Sequence, residues 1–153
     1  MSMNRVCFIG HRTILTKNVE PLLIDAVNNA LQEGCNCFAM GNHGDFDKLA
    51  LKVCRNLRNQ HSNMKIEVVL TSLHKINQKI DDEIYNDYSD VETVIYNIED
   101  IFYKRQIIES NKQMINSCDT LICYVNLKNT YSGAKYAYNY AKKKGLRIIN
   151  LFK

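Results

Sequence analysis

Apolar and polar positions follow two alternating patterns along this chain. Short continuous apolar runs, the first at residues 6–9, are typical of strands that are buried on both faces. Longer stretches, with apolar residues every three or four positions, predict amphipathic helices. The predicted strands are residues 6–9, 37–40, 66–70, 91–96, 120–125 and 147–151, and the predicted helices are residues 19–33, 45–59, 103–116 and 132–144.

This order of elements predicts the fold class. Strands that alternate with helices of ten to fifteen residues form βαβ units, whose right-handed crossovers place parallel strands in one sheet with helices on both faces. We therefore expect an α/β, Rossmann-like three-layer fold with a mainly parallel sheet of about five to six strands. Residues 1–153 form one domain in this interpretation, without repeats or linkers.

Composition narrows the cellular setting. The chain has six cysteines, but its N-terminus shows no signal-peptide pattern, and most of the cysteines lie in predicted core elements. We expect reduced, buried thiols and a cytoplasmic protein. Cys35 and Cys37 form a close pair, yet no second Cys or His pair stands at zinc-like spacing, so no metal site is predicted.

Charge adds a preference for the kind of partner. The net charge of +4 suits a small anionic ligand and is too mild for a nucleic-acid-binding stripe. No apolar stretch reaches the length of a membrane span. Residues 71–103 are acidic, and they are interpreted either as a solvated acidic face or as a lid over the site.

Three glycine-containing turns follow predicted strands and precede predicted helices, at residues 9–13, 40–47 and 125–134. In parallel sheets, ligands bind beyond the carboxyl ends of the strands, where these turns lie. Backbone amides at a helix N-terminus attract anions, and the Arg12 guanidinium suits phosphate. The candidate ligand-binding residues of the turns are Gly10, His11, Arg12, Gly41, Asn42, His43, Gly44, Asp47, Asn126, Ser132 and Gly133.

Some of these residues have two interpretations. His11 and His43 could meet across the switch point, the place where the strand order of such a sheet reverses, and act there as acid, base or hydrogen-bond donors. Alternatively, they are ordinary loop histidines. Asp45 could serve only as a first-turn acid at its helix. Asp47, two residues further on, could reach a ribose hydroxyl. Neither a GxGxxG nor a GxxxxGK[ST] motif is present.

Several of these segments resemble a known family. Residues 7–12 (CFIGHR) and 41–50 (GNHGDFDKLA) are similar to the paired FTGHR and GxxxGFDxxA motifs of YpsA-like proteins. Residues 110–119 (SNKQMINSCD) resemble the family's RNxxMVDxSD segment, and residues 132–134 resemble its GGT turn. The family belongs to the SLOG superfamily, with the lonely-guy phosphoribohydrolases and the DprA recombination mediators. The resemblance implies a Rossmann-like fold, nucleotide-like ligands at the glycine turns, and a homodimer.

The chain departs from this pattern at informative positions. Ser110 replaces the expected arginine, so Lys104 or Arg105 are candidates to supply that anion contact. Ser132 stands where the first glycine of the last turn is expected. The phosphoribohydrolases carry a PGGxGTxxE motif whose glutamate serves N-glycosidic cleavage. The matching residues 131–138 contain no acid.

The sequence therefore favours a binding module, a sensor, carrier or sequestering protein for a phosphorylated, nucleotide-derived molecule, without a further cofactor. Asn111 or Asn126 would orient the base or a second sugar. The alternative is an enzyme of the N-glycosidase or phosphoribohydrolase type, with Asp45, Asp47 and His43 as candidate catalytic residues. A single-strand DNA mediator is disfavoured because no basic-aromatic stripe is present.

Overall fold

The computed structural model describes residues 4–14, 18–70, 88–95, 103–128 and 132–152. Its strands are β1 (Arg5–Gly10), β2 (Cys37–Met40), β3 (Lys65–Leu70), β4 (Glu92–Ile95), β5 (Thr120–Tyr124) and β6 (Arg147–Asn150). Its helices are α1 (Val19–Gln32), α2 (Asp45–Arg58), α3 (Tyr103–Asn116) and α4 (Gly133–Lys143). Each predicted element is confirmed, with ends that coincide with the predicted ones or differ by one residue.

The six strands form one parallel sheet in the order β4-β3-β2-β1-β5-β6. β1 lies at its centre, because Val6 pairs with Phe38 on β2 and with Thr120 on β5. The chain builds outward from β1 first in one direction and then in the other, so the strand order reverses between β1 and β5. The predicted Rossmann-like α/β fold is confirmed, and this reversal is the position at which such sheets open a crevice.

The sheet separates two apolar layers. Val6 and Phe8 of β1 pack with residues of α1 and α2, whereas Cys7 and Ile9 face α3 and α4. This alternation follows from the two-residue period of a strand, and it explains why residues 6–9 are apolar without interruption. A central strand buried on both faces fixes the position of the turn that follows it.

The cysteines lie where the apolar pattern places them. All six are described, and none is in a disulfide. The members that are fully or almost fully buried are Cys7, Cys37, Cys54, Cys118 and Cys123. Cys35 is half-buried, and it precedes β2 rather than sharing a strand with Cys37.

The acidic segment is described only in part. Residues 71–87 and 96–102 lie outside the described residues, and with them the interpretation of this segment as a lid. Asp90 is exposed, and its carboxylate accepts hydrogen bonds from Arg55 at 2.8 Å and Arg58 at 2.7 Å. This part of the segment is a solvated acidic surface paired with the basic end of α2.

Helix ends and helix lengths agree with the sequence. Gly34 follows α1 with a φ of 97°, the left-handed conformation in which glycine ends a helix without steric cost. Within the described ranges, no helix has the length and apolar character needed to cross a membrane.

Candidate functional site

A cleft of about 410 Å³ opens at the carboxyl end of β1, beside the reversal of strand order. Four segments far apart in the sequence form its walls: the end of β1, the start of α2, the middle of α3 and the start of α4. Nine of the twelve predicted ligand-binding residues line it: Gly10, His11, Arg12, His43, Gly44, Asp47, Asn111, Ser132 and Gly133. The switch-point rule therefore located the cleft.

At two positions of the cleft, neighbouring atoms lie so close to the backbone that only glycine fits. A Cβ atom at Gly10 would lie 2.3 Å from the Phe46 ring, and one at Gly44 would lie 2.5 Å from Cα of Arg12. Neither glycine has a positive φ, so packing rather than backbone conformation excludes a side chain. A larger residue at Gly44 would consequently disturb the loop itself as well as the binding of any ligand.

Some backbone amides at the N-terminus of α2 already donate hydrogen bonds within the protein. The His43 N–H donates to Asp47 Oδ2 at 2.9 Å, and the Asp45 N–H donates to the Arg12 carbonyl oxygen at 2.8 Å. The expectation that backbone amides at a helix N-terminus attract an anion therefore applies to this turn only in part. The internal hydrogen bonds hold this turn against β1, and they leave fewer donors for an anion.

The N-terminus of α4 is more open. Ser132 caps the helix by accepting from the Lys135 N–H at 3.2 Å. The first-turn amides of Gly133 and Ala134, which line the cleft, have no partner within a regular helix. A Cβ atom built at Gly133 meets nothing within 4 Å. With the helix dipole behind it, this end offers the better anion site.

The two acids of α2 occupy different environments. Asp47 lines the cleft, and burial raises the pKa of its carboxyl to about 6, against the hydrogen bond from His43. Asp45 is exposed and accepts from the Ile14 N–H at 3.0 Å, outside the cleft. Of the two acids, Asp47 is therefore the one in a position to meet a ligand.

Both loop histidines are held in a neutral form. His11 Nε2 accepts the Asn126 backbone N–H at 2.8 Å, which leaves the proton on Nδ1. Burial lowers the pKa of His11, and burial together with the nearby Arg12 guanidinium lowers the pKa of His43 to about 4. The cleft therefore combines two neutral imidazoles with one arginine and one carboxylate.

We expect these imidazoles to titrate below 6.5, the usual pKa of histidine. Protonation of His11 would place two donors, Nε2–H and the Asn126 N–H, against each other. Nuclear magnetic resonance of ring nitrogens across pH 4–8 should show His11 as the Nδ1–H tautomer at pH 7. A His11→Gln variant, whose amide oxygen can replace Nε2, should retain the Asn126 amide shift, and His11→Ala should lose it. An Nε2–H tautomer would contradict this assignment.

Three predicted ligand-binding residues do not line the cleft. Gly41 is buried at the end of β2, where a Cβ atom would press on Asp47 Oδ2 at 3.1 Å. The side chain of Asn42 has its oxygen buried beside that turn, without a hydrogen-bond partner among the described residues. Asn126 Oδ1 accepts from Lys128 N within its own loop, so it is turned away from the role of orienting a base.

α3 contributes residues that the sequence interpretation missed. Ile107 and Ile108 line the cleft beside Asn111 and give it an apolar wall. In the sequence, both residues belong to the three- to four-residue apolar spacing of α3. That spacing predicts a packed helix face, but it does not show whether the face also lines a cleft beyond the sheet.

The expected replacement for the missing arginine was not found among the described side chains. Ser110 is buried, and Arg105 is exposed and lies 3.7 Å from Glu109. The Lys104 side chain lies outside the described atoms. Arg12 is therefore the basic residue of the cleft lining as described.

The described residues contain no group of three or more His, Cys, Asp or Glu side chains arranged to hold a metal ion. Comparison of the chain with models of known protein families and with curated proteins finds no match. The class of protein that fold and cleft define is accordingly a Rossmann-like α/β protein with a cleft at the switch point of its sheet.

Proposed function

We propose that this chain binds a phosphate-bearing, nucleotide-like ligand in the cleft and acts as a sensor, carrier or sequestering module. The main support is the convergence of nine predicted residues, from four segments, on one cleft at the strand-order reversal. A volume of about 410 Å³ lies within the range of sites that enclose small organic ligands.

The phosphate is assigned to the N-terminus of α4. Amides of Gly133 and Ala134 supply donors there, and Arg12, in the loop after β1, supplies a fixed positive charge to the same cleft. The neutral histidines can add hydrogen bonds without adding charge. One arginine and one free helix end suit one phosphate group better than a chain of them.

The remaining walls suit the rest of a nucleotide. Asp47 offers carboxylate oxygens to the hydroxyls of a ribose, in the role that an acid has in Rossmann sites. Ile107 and Ile108 offer an apolar surface to a planar base, beside Asn111, which can donate or accept. This mixture of apolar walls and few polar groups is typical of sites for small organic ligands.

One observation favours a second candidate function, N-glycosidic cleavage. The raised pKa of Asp47, about 6, would let a fraction of its carboxyl groups carry a proton near neutral pH, as a general acid must. Asp45 is removed from this candidate, because it lies outside the cleft. The sequence of residues 131–138 contains no acid, so this segment cannot supply the second carboxylate used in glycoside hydrolysis. We therefore prefer binding.

Setting and assembly complete the proposal. Six unpaired cysteines suit the reducing cytoplasm. Membership of the SLOG superfamily and a homodimeric state are proposed on the motif resemblance of residues 7–12, 41–50 and 110–119.

One experiment separates binding from cleavage. The protein is incubated with purine and pyrimidine nucleoside monophosphates and with ADP-ribose-type compounds, and the melting temperature and free base are measured on the same samples. A rise in melting temperature without base release supports binding. Rapid base release would transfer the proposal to the glycosidase. No response to any nucleotide would overturn the nucleotide assignment.

Arg12→Gln is expected to weaken the binding of a responding nucleotide about tenfold to a hundredfold, because a charge-assisted contact to phosphate contributes about 1.5–3 kcal/mol. Arg105→Gln is the matched control, since Arg105 is exposed and lies outside the cleft. Isothermal titration calorimetry measures both. Equal affinities for the two variants would remove Arg12 from the site.

A further inference from the structure

The last strand of the sheet ends in a side chain that binds the backbone of the neighbouring strand's loop. Asn150 is the last residue of β6, and its backbone pairs in register with Cys123 of β5. Its side-chain amide reaches two residues further: Oδ1 accepts the Val125 N–H at 3.1 Å, and Nδ2 donates to the Val125 carbonyl oxygen at 3.0 Å. One side chain therefore engages both backbone groups of Val125, as paired strand residues do, although β5 itself ends at Tyr124.

These two hydrogen bonds hold the residue that binds the His11 ring. Asn126, directly after Val125, donates its backbone N–H to His11 Nε2 at 2.8 Å. His11 in turn donates its own backbone N–H to the Tyr124 carbonyl oxygen at 3.3 Å. Val125 is fully buried, so its backbone cannot replace the hydrogen bonds to Asn150 with hydrogen bonds to water. A loss of the Asn150 amide would therefore shift Val125 and, with it, the N–H that the ring accepts.

A second contact leads from Asn150 to the same ring. Asn150 Oδ1 also accepts the Phe152 N–H at 3.2 Å, which fixes the chain just after β6. The Phe152 and His11 rings meet edge to face, with centroids 6.3 Å apart and planes at 88°. Asn150 is not among the residues that line the cleft as described, yet it holds two neighbours of a histidine that does.

We propose that Asn150 is a positioning residue of the cleft, which holds the Asn126 N–H against His11 Nε2 and thereby sets the Nδ1–H tautomer of His11. In this tautomer Nε2 is already engaged, so the ring offers a ligand a hydrogen-bond donor and no acceptor. A donor next to Arg12 in the cleft lining suits the acceptor oxygens of a phosphate-bearing molecule. The inference rests on the proposed function for its effect on affinity, whereas the tautomer depends on no ligand.

The first test is nuclear magnetic resonance of the ring nitrogens at pH 7.5, without ligand. Asn150→Ala should release the Asn126 N–H, so that His11 is no longer held in the Nδ1–H tautomer and the Asn126 amide signal shifts. His43 lines the same cleft from the turn before α2, and its ring signals should not change. An unchanged His11 would overturn the proposal. An equal change at His43 would also overturn it, because that result indicates a general loosening of the fold.

Three further variants make this measurement specific, with circular dichroism as the check that each is folded. Asn139→Ala removes the same side chain from an exposed position of α4 and should leave His11 unchanged. Asn126→Ala keeps the backbone N–H that binds His11, so the tautomer should remain; its loss would assign the positioning to the Asn126 side chain instead. Asn150→Asp keeps both acceptor bonds and loses only the donor to the Val125 carbonyl oxygen. It should lose the tautomer in part, and it decides the question if Asn150→Ala does not fold.

The second test is isothermal titration calorimetry with the nucleoside monophosphate that raises the melting temperature most. Asn150→Ala should weaken binding about threefold to tenfold, the effect of losing one neutral hydrogen bond. In a His11→Ala background the same substitution should have no further effect, because Asn150 acts through His11. Additive losses in this double-mutant cycle would overturn the proposal. If the original protein binds no nucleotide, the proposed function fails, and the tautomer measurement still decides the role of Asn150.

Discussion

Gly10→Ala is expected to lower the free energy of unfolding by about 2 kcal/mol, because overpacking a filled core costs about 1–3 kcal/mol. The added Cβ would lie 2.3–2.5 Å from three atoms of Phe46. The ring cannot easily move aside, since Phe46 is fully buried and its centroid is 6.3 Å from that of Tyr124 and 6.5 Å from that of Phe8. Urea denaturation of both proteins measures the change.

Two further variants make this expectation specific. Gly133→Ala is the same substitution at an open position, so stability should be unchanged or rise by about 0.5 kcal/mol as alanine replaces glycine in a helix. In a Phe46→Leu background, Gly10→Ala should cost at least about 1 kcal/mol less, since the clashing ring is gone. An equal cost in both backgrounds would show that Phe46 is not what excludes a side chain at Gly10.

The contrast between these glycines shows what the sequence could predict about the site. Gly10, Gly44 and Gly133 all follow strands and precede helices, and that position alone located the cleft. The three positions differ in their surroundings. A side chain at Gly10 would clash with Phe46 and one at Gly44 with Arg12, whereas the position of Gly133 is open. Those contacts join residues more than 30 positions apart, so no local pattern contains them.

The fold was more predictable than the chemistry because it depends on periodicity. A continuous apolar run is enough to place β1 in the middle of a sheet, whichever apolar residues fill it. Hydrogen-bond assignments depend on side-chain direction instead. Asn126 follows a strand, as His11 does, yet its side-chain oxygen accepts the backbone N–H of Lys128. Its own backbone N–H donates to His11 Nε2. Ile107 and Ile108 follow the apolar spacing of an amphipathic helix. That spacing is the same whether the side chains pack in the core or line a cleft.

The buried carboxyl of Asp47 lowers the stability of the folded chain at neutral pH. In the folded chain the pKa of its carboxyl is raised by burial from the usual 3.8 to about 6. Between these pH values the native state holds a proton that the unfolded state has released. Stability therefore falls as the pH rises from about 4 to about 6, and the loss remains above that range.

Asp47→Asn is consequently expected to stabilise the protein without ligand. A shift of about two units corresponds to a ceiling of about 3 kcal/mol, and contact with water in the cleft reduces the expected gain at pH 7.5 to about 1–2 kcal/mol. The amide oxygen of asparagine can still accept the His43 N–H, so the turn is retained. Chemical denaturation at pH 4.0 and 7.5 should show the gain at the higher pH only.

The same variant should bind nucleotides less well, because it loses the charge-assisted contact that we propose between Asp47 and the ribose hydroxyls. Asp45→Asn, two residues away and outside the cleft, is the control: it should leave binding unchanged and should not gain stability, since an acid in the first turn of α2 favours the helix. Greater stability with weaker binding at Asp47 alone would indicate a carboxylate retained for its ligand at the expense of the fold. A loss of stability at pH 7.5 would mean that the carboxylate supports the turn, and Asp47 would lose its place as the ribose contact.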